Sequence, residues 1–265
     1  MLGELYFTQV GQDVLAMRSW GHGDPRFVCV HGWLANSVWW TWMVPHLDGR
    51  VVALDLPGMG LSSHQDHYAL DDFAAKIASC IGDKPVVLIG HSMGALMCYY
   101  VALKYPDKVE SVCLLDPVLL SWFEDIPLIK ARSLKVRKMA TMDEVYARYR
   151  FIPSQPHPAS DIMRILADHA VRRVDGSYQW LFHHDLGLRT ASFDHQLVHV
   201  GINKPLLLVS AMQSPFYNKE LVERFKGLNP NVQCVDVDAY HALLVDHPVE
   251  VSSAVKHFVA SYSAD

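Results

Sequence analysis

Residues 85–106 read PVVLIGHSMGALMCYYVALKYP, and no other stretch so narrows what this chain can fold into. Val86, Val87, Leu88 and Ile89 form a short continuous apolar run, the pattern of a strand covered on both faces. Gly90-His91-Ser92-Met93-Gly94 follows, and then a helix-like run that Pro106 closes. Strand, tight turn and helix are thus predicted in succession. Gly90 and Gly94 carry no Cβ, so strand and helix can approach each other while Ser92 is thrust outward from the turn. This is the G-x-S-x-G pattern of a nucleophile elbow, whose helix start offers free N–H groups to a developing anion. A small-residue turn that merely contains serine would match the five letters. The flanking strand and helix favour the elbow.

The rest of the chain must then supply a large α/β domain, and its composition allows one. The 265 residues are 51% hydrophobic and 19% charged, which favours a packed core over disorder. A formal net charge of -5 argues against a surface built for nucleic acid. The opening MLGELYFTQVGQDVLAM alternates and carries an early charge, unlike a secretory signal, and no apolar run is long enough for a membrane span. The five cysteines include no C-x-x-C pair, and Cys29, Cys98, Cys113 and Cys234 lie in apolar runs. They read as reduced residues of a cytoplasmic protein. Among fifteen histidines no H-E-x-x-H occurs. His183-His184-Asp185 is a candidate metal set, but adjacent side chains seldom face one ion. No metal or organic cofactor is expected.

In order, Leu5 to Val10 and Val14 to Trp20 alternate around Gly11-Gln12-Asp13 as an opening hairpin. Phe27 to Val30 is a buried strand ending at His31-Gly32-Trp33, and Ser37 to Leu47 is predicted helical. Val51 to Leu54 is a strand running into Asp55-Leu56-Pro57-Gly58-Met59-Gly60-Leu61-Ser62, followed by an amphipathic helix from Tyr68 to Ile81. After the elbow, Val109 to Leu115 is a strand closed by Asp116-Pro117. The alternation predicts a mostly parallel sheet with helices on both faces. It breaks over 118–199, where helical pieces (Leu128 to Met139, Met142 to Tyr149, Ser160 to Arg173) surround a proline-rich stretch. That length exceeds a loop, so 118–199 is expected to be a helical cap inserted between core segments 1–117 and 200–265. Lys204 to Val209 resumes the sheet. A helix (Lys219 to Phe225), a last strand (Val232 to Val237) and a closing helix (Pro248 to Tyr262) follow.

With HGW at 31–33, DLPGMGLS at 55–62, GHSMG at 90–94 and a late DAYHALLVDHP in this order, the chain resembles the α/β-hydrolase fold superfamily over essentially its whole length. The resemblance implies an eight-stranded, mostly parallel sheet with a cap inserted after the sixth strand. It also implies Ser92 as nucleophile, His241 as general base, and the backbone N–H groups of Trp33 and Met93 as the oxyanion hole. The chemistry is coherent, because a serine hydroxyl needs an imidazole to take its proton and fixed donors for the resulting oxyanion. His31 reads as a loop support, His91 as a packing or pocket residue, and His247 as a capping or surface residue.

One member is missing. The family usually carries its triad acid after the seventh strand in a turn resembling G-x-x-D-P, where this chain has Ser210-Ala211-Met212-Gln213-Ser214-Pro215. A hydroxyl at Ser214 cannot stabilise an imidazolium. Asp116, at the end of the sixth strand, is the leading substitute, although an aspartate before Pro117 can also serve only as a cap. Asp238 and Asp246 are further candidates beside His241.

The expected reaction is hydrolysis of a carboxylic ester, thioester or lactone of an apolar small molecule through an acyl-enzyme. Trp122, Phe123, Tyr146 and Trp180 are candidate pocket residues, equally explained as cap core. Carbon–carbon hydrolysis of a diketone would use the same triad, and Ser214 leaves open a non-catalytic binding module on this fold. Ser92 argues against dehalogenases and epoxide hydrolases, which need an aspartate nucleophile. Nothing in the sequence sets an oligomeric state.

Overall fold

The strands alternate between two cores, and this explains why they read as unbroken apolar runs. The computed structural model describes residues 1–118, 134, 137–156, 158–190 and 199–262. Six strands lead into the elbow region and beyond it: β1 (Glu4–Val10), β2 (Asp13–Trp20), β3 (Pro25–Val30), β4 (Arg50–Leu54), β5 (Val86–His91) and β6 (Val109–Leu115). A separate hairpin, β7 (Val171–Val174) and β8 (Ser177–Trp180), precedes β9 (Leu206–Ala211) and β10 (Val232–Val237). The main sheet has eight strands in the order β1-β2-β4-β3-β5-β6-β9-β10. Within this sheet, among the described residues, only the β1–β2 and β2–β4 pairs are antiparallel. The expected mostly parallel α/β sheet is therefore present.

Along β5, Val86 and Leu88 face one core and Val87 and Ile89 the other. Helices α1 (Leu70–Ser79) and α2 (Met93–Lys104) cover the first face, and Phe73, Ile77 and the α2 side chains pack there. The helix α3 (Met142–Arg148) starts with a capping arrangement, in which Thr141 Oγ1 accepts from Glu144 N and Glu144 Oε2 accepts from Ala140 N. It is followed by α4 (Ser160–Asp168), α5 (Leu186–Arg189), α6 (Lys219–Leu228), α7 (Leu243–Asp246) and α8 (Pro248–Tyr262). Phe225 of α6 joins the first core, whereas Val251, Val255 and Phe258 of α8 close the second. Helices on both faces follow from this two-sided burial. Among the described residues, no helix is long and apolar enough to cross a membrane.

Three predicted helices differ. Ser37 to Leu47 forms two 3-10 turns, Ser37–Trp42 and Val44–His46, because Pro45 offers no N–H and Asn36 Oδ1 draws in Val38 N at 3.1 Å. The helix expected to reach Arg173 stops at Asp168, and the chain turns through Asp175-Gly176 with φ of 47° and 77°. Positive φ at both central residues is what a two-residue hairpin demands, so Val171 to Trp180 becomes β7–β8. The segment between β6 and β9 is therefore not purely helical. Most of the helix expected over Leu128 to Met139 lies outside the described residues. Its end does not: Met139 pairs with Tyr178 of the hairpin, N to O at 3.0 Å.

The elbow depends on close backbone approach. A Cβ on Gly94 would strike the carbonyl oxygens of Val30 and His31, and one on Gly90 would strike the backbone of Gly94 and Ala95. Backbone cannot move aside as a side-chain tip can. Gly94→Ala should therefore lower unfolding stability by about 3 kcal/mol or more, measured by urea denaturation. Gly82→Ala, with nothing within 4 Å, should change it by less than about 1 kcal/mol.

Candidate active site

Ser92 stands between β5 and α2 with φ 56° and ψ −119°, a conformation that costs energy for a residue with a Cβ. The surroundings hold it there: Ser92 N donates to Leu115 O at 3.0 Å, and the Gly32 backbone packs against its Cβ. Met93 is the first residue of α2, so its N–H has no acceptor within the helix. Trp33 lies in the loop that leaves β3 beside the elbow. That loop is fixed by His31, whose Nδ1–H donates to Gly32 O at 2.7 Å while Nε2 accepts from Leu56 N at 3.0 Å. Burial lowers the His31 pKa against the pull of Asp55, which keeps the ring neutral and this tautomer in place. Asp55 braces two loops at once, accepting from Ser37 N at 2.7 Å and Leu61 N at 2.8 Å.

Three side chains from distant parts of the chain meet at the elbow. His241 Nε2 lies 2.9 Å from Ser92 Oγ, and His241 Nδ1 lies 2.6 Å from Asp116 Oδ2. An ionised carboxylate can only accept, so Nδ1 carries the proton and Nε2 is free to accept from the serine hydroxyl. Asp116 itself is held with φ 41° by Asp116 N donating to Val209 O at 2.7 Å, and its Oδ1 accepts from Ala211 N at 3.1 Å. Ser92, Asp116 and His241 are all buried. The other candidate acids are engaged elsewhere: Asp238 accepts from Gln213 Nε2 at 2.9 Å and Asp246 from Gln155 Nε2 at 2.8 Å.

Ser214, at the family's usual acid position, has another task. Its Oγ accepts from Phe216 N at 3.2 Å, a local turn that brings the Phe216 ring edge-on to the His241 ring at 4.8 Å. His91 Nε2–H donates to His241 O at 2.8 Å, and its ring lies 4.7 Å from that of His241. Trp39 stacks on His91 at 6.0 Å, Phe151 packs on Trp39 at 5.1 Å, and Tyr149 links Phe151 to Trp180. A run of rings thus joins the β7–β8 hairpin to the imidazole. Gln155 adds a polar tie, since its Oε1 accepts from Ala242 N at 2.9 Å, next to His241. Neither Gln155 nor Phe216 carries a sequence motif that marks it as a neighbour of His241. Position after Ser214-Pro215 could have flagged Phe216, but nothing local marks a glutamine between two prolines.

The candidate pocket residues separate. Trp180 and Phe182 line a mainly apolar cavity of about 210 Å³ with Leu34, Tyr149 and Ile152, and Arg148 and Arg150 share its walls. Tyr146 instead faces a groove with Met163 and Arg164, and its hydroxyl donates to Asp168 Oδ1 at 2.7 Å. Trp122 and Phe123 lie outside the described residues. His183-His184-Asp185 is not part of any metal-type cluster among the described residues.

Comparison with known proteins agrees with this fold. The family described as alpha/beta hydrolase fold matches residues 25–248, and the chain belongs to it. A serine hydrolase-like protein of Danio rerio is 28% identical over 93% of this chain and 85% of its own length. A pimeloyl-[acyl-carrier protein] methyl ester esterase of Neisseria meningitidis serogroup C is 32% identical over 87% of this chain and 91% of that protein. Among solved structures, a thioesterase domain from the curacin biosynthetic pathway superposes with a TM-score of 0.80 at 24% identity, covering 96% of this chain and 99% of that one. The protein is a hydrolase-type enzyme of this fold.

The buried imidazoles set the acid limit of stability. Burial pushes the His91 pKa well below its ordinary 6.5, with the neighbouring His241 adding to the effect, and His91 Nδ1 has no acceptor for a second proton. A histidine with a depressed folded pKa leaves the unfolded chain binding more protons below 6.5. Stability should therefore be full above that pH and fall as pH drops through it, by about 1.4 kcal/mol per pH unit per proton. Urea unfolding between pH 7 and 5 should show a slope lower by about one such proton in His91→Gln than in wild type. Equal slopes would mean that His91 is not held neutral.

Proposed function

We propose that the protein hydrolyses a carboxylic ester, or the related thioester or lactone, of an apolar small molecule through an acyl-enzyme. The observation that carries this reading is the unbroken hydrogen-bonded line from Ser92 through His241 to Asp116. His241 Nε2 takes the Ser92 proton as Oγ attacks the carbonyl carbon, and the N–H groups of Trp33 and Met93 receive the negative charge on oxygen. Asp116 holds the imidazole in the productive tautomer and stabilises the imidazolium. The imidazolium then protonates the leaving alcohol. Water, activated by the same nitrogen, attacks the acyl group and frees Ser92.

Residues 118–199 serve as the cap, and the cavity bounded by Leu34, Trp180 and Phe182 receives the apolar part of the substrate. Its position beside Trp33 and its largely apolar side chains support that use. The methyl ester esterase among the relatives supports an ester over a carbon–carbon bond. The complete donor–acceptor line weighs against a non-catalytic module, the reading that Ser214 had left open.

A fluorophosphonate probe should label wild type but not Ser92→Ala, and Ser92→Ala should lose about 10⁶-fold in kcat on p-nitrophenyl esters. Asp116→Asn should keep the fold and lose about 10⁴-fold, the scale of the corresponding change in a serine protease. Full activity in Asp116→Asn would refute its assigned role. Turnover of diketones with no ester hydrolysis would move the substrate class to carbon–carbon bonds.

A further inference from the structure

The rings of Trp180 and Phe182 lie parallel, 6.3 Å apart, and they line a second cleft besides the apolar cavity. This one has a volume of about 260 Å³, and its other walls are His64, Arg137, Arg172, Gln179, His183 and His184. The three imidazoles are packed together: His64 meets His183 edge-on at 5.1 Å, and His183 stacks on His184 at 4.9 Å. The His64 pKa is lowered to about 4, first by burial and then by His183, Arg172 and His184. Arg137 and Arg172 give the walls two formal positive charges.

Two carboxylates stand nearby, and both Asp185 and Asp66 favour the charged form of His183 against the burial that lowers its pKa. Asp185 lies 3.2 Å from His184 Nε2, and Asp66 pairs with Arg189 at 2.8 Å. Arg137 and Arg172 have no carboxylate within ion-pair distance among the described residues. Guanidinium groups donate and never accept, and these histidines form no metal-type cluster among the described residues. A cleft with such donors is complementary to an oxyanion, not to a cation. It is also close to the chemistry. Phe182 forms a bridge with Met59, whose Sδ accepts from Leu34 N at 3.3 Å, one residue beyond Trp33.

We propose that this cleft binds a carboxylate or phosphate group on the substrate, at the end remote from the scissile carbonyl. The substrate is then an amphipathic ester, with its apolar length against Trp180 and Phe182 and its anionic end among Arg137, Arg172 and the histidines. The placement on the substrate rests on the hydrolase reading above. Anion binding in the cleft does not.

Two measurements test it with the exposed pair changed together, Arg137→Gln/Arg172→Gln. In the first, inorganic phosphate or glutarate is titrated into wild type while the His64 ring is followed by NMR. Binding should shift its resonances and raise its pKa, and the double variant should lose both effects. No shift, or a shift unaltered in the double variant, overturns the proposal. In the second, p-nitrophenyl esters ending in a carboxylate, a phosphate or a methyl-capped carboxylate are compared. The double variant should lose about tenfold or more in kcat/KM, through KM, on the anionic esters and keep its rate on the capped one. The larger loss names the anion. Equal losses on all three esters overturn the proposal. If wild type cleaves none of the esters while phosphate still titrates His64, the ester reading fails and the anion site stands.

Discussion

A carboxylate taken out of water must be surrounded by donors, and around Asp116 that requirement ties three parts of the fold together. Its side chain is almost fully buried at the end of β6, where an unpaired charge would cost several kcal/mol. One oxygen accepts from Ala211 N at the end of β9, and the other faces His241 Nδ1 in the loop after β10. The parallel pairing of β6 with β9 and of β9 with β10 brings those donors to one sheet edge. If any of these strands slipped in register, the carboxylate would lose a partner and His241 its orientation.

The imidazole is then gripped from several sides. Phe216 packs edge-on to one part of its ring, and His91 lies against another and holds its backbone carbonyl. Each contact costs little to form because both partners are already part of the core or of a braced turn. The ring run from Trp180 to His91, with Gln155 bonded to Ala242, means that the segment between β6 and β9 is packed into the site and not merely above it. Altering that segment can therefore shift the His241 ring as well as the cavity beside Trp180.

Much of this was legible because burial on both faces writes itself as runs such as VVLI, and because a turn this tight between strand and helix needs glycines on either side of the serine. Ser92 and His241 could be picked from motif and order alone. The carboxylate partner of His241 was less legible, since it can come from either of two adjacent strand ends, and only three-dimensional neighbourhood sets Asp116 beside the ring rather than Asp238 or Asp246. Helix expectations failed where a local feature overrode apolar spacing: Pro45 in the second 3-10 turn, and Asp175-Gly176 in the hairpin. The cleft beside Trp180 was illegible for another reason. His64, Arg137 and Arg172 are far apart in sequence, and no short-range spacing connects them to His183 and His184.

The claim on which the rest depends is that Asp116, and not a group in the Ser214 turn, holds the proton of His241 Nδ1. The direct observation is the far-downfield NMR resonance of that ring N–H, assigned with nitrogen-labelled histidine. The resonance should be present in wild type, survive in Ser214→Ala and disappear in Asp116→Asn. A resonance that persists in Asp116→Asn, or vanishes in Ser214→Ala while Asp116 is intact, would contradict that claim.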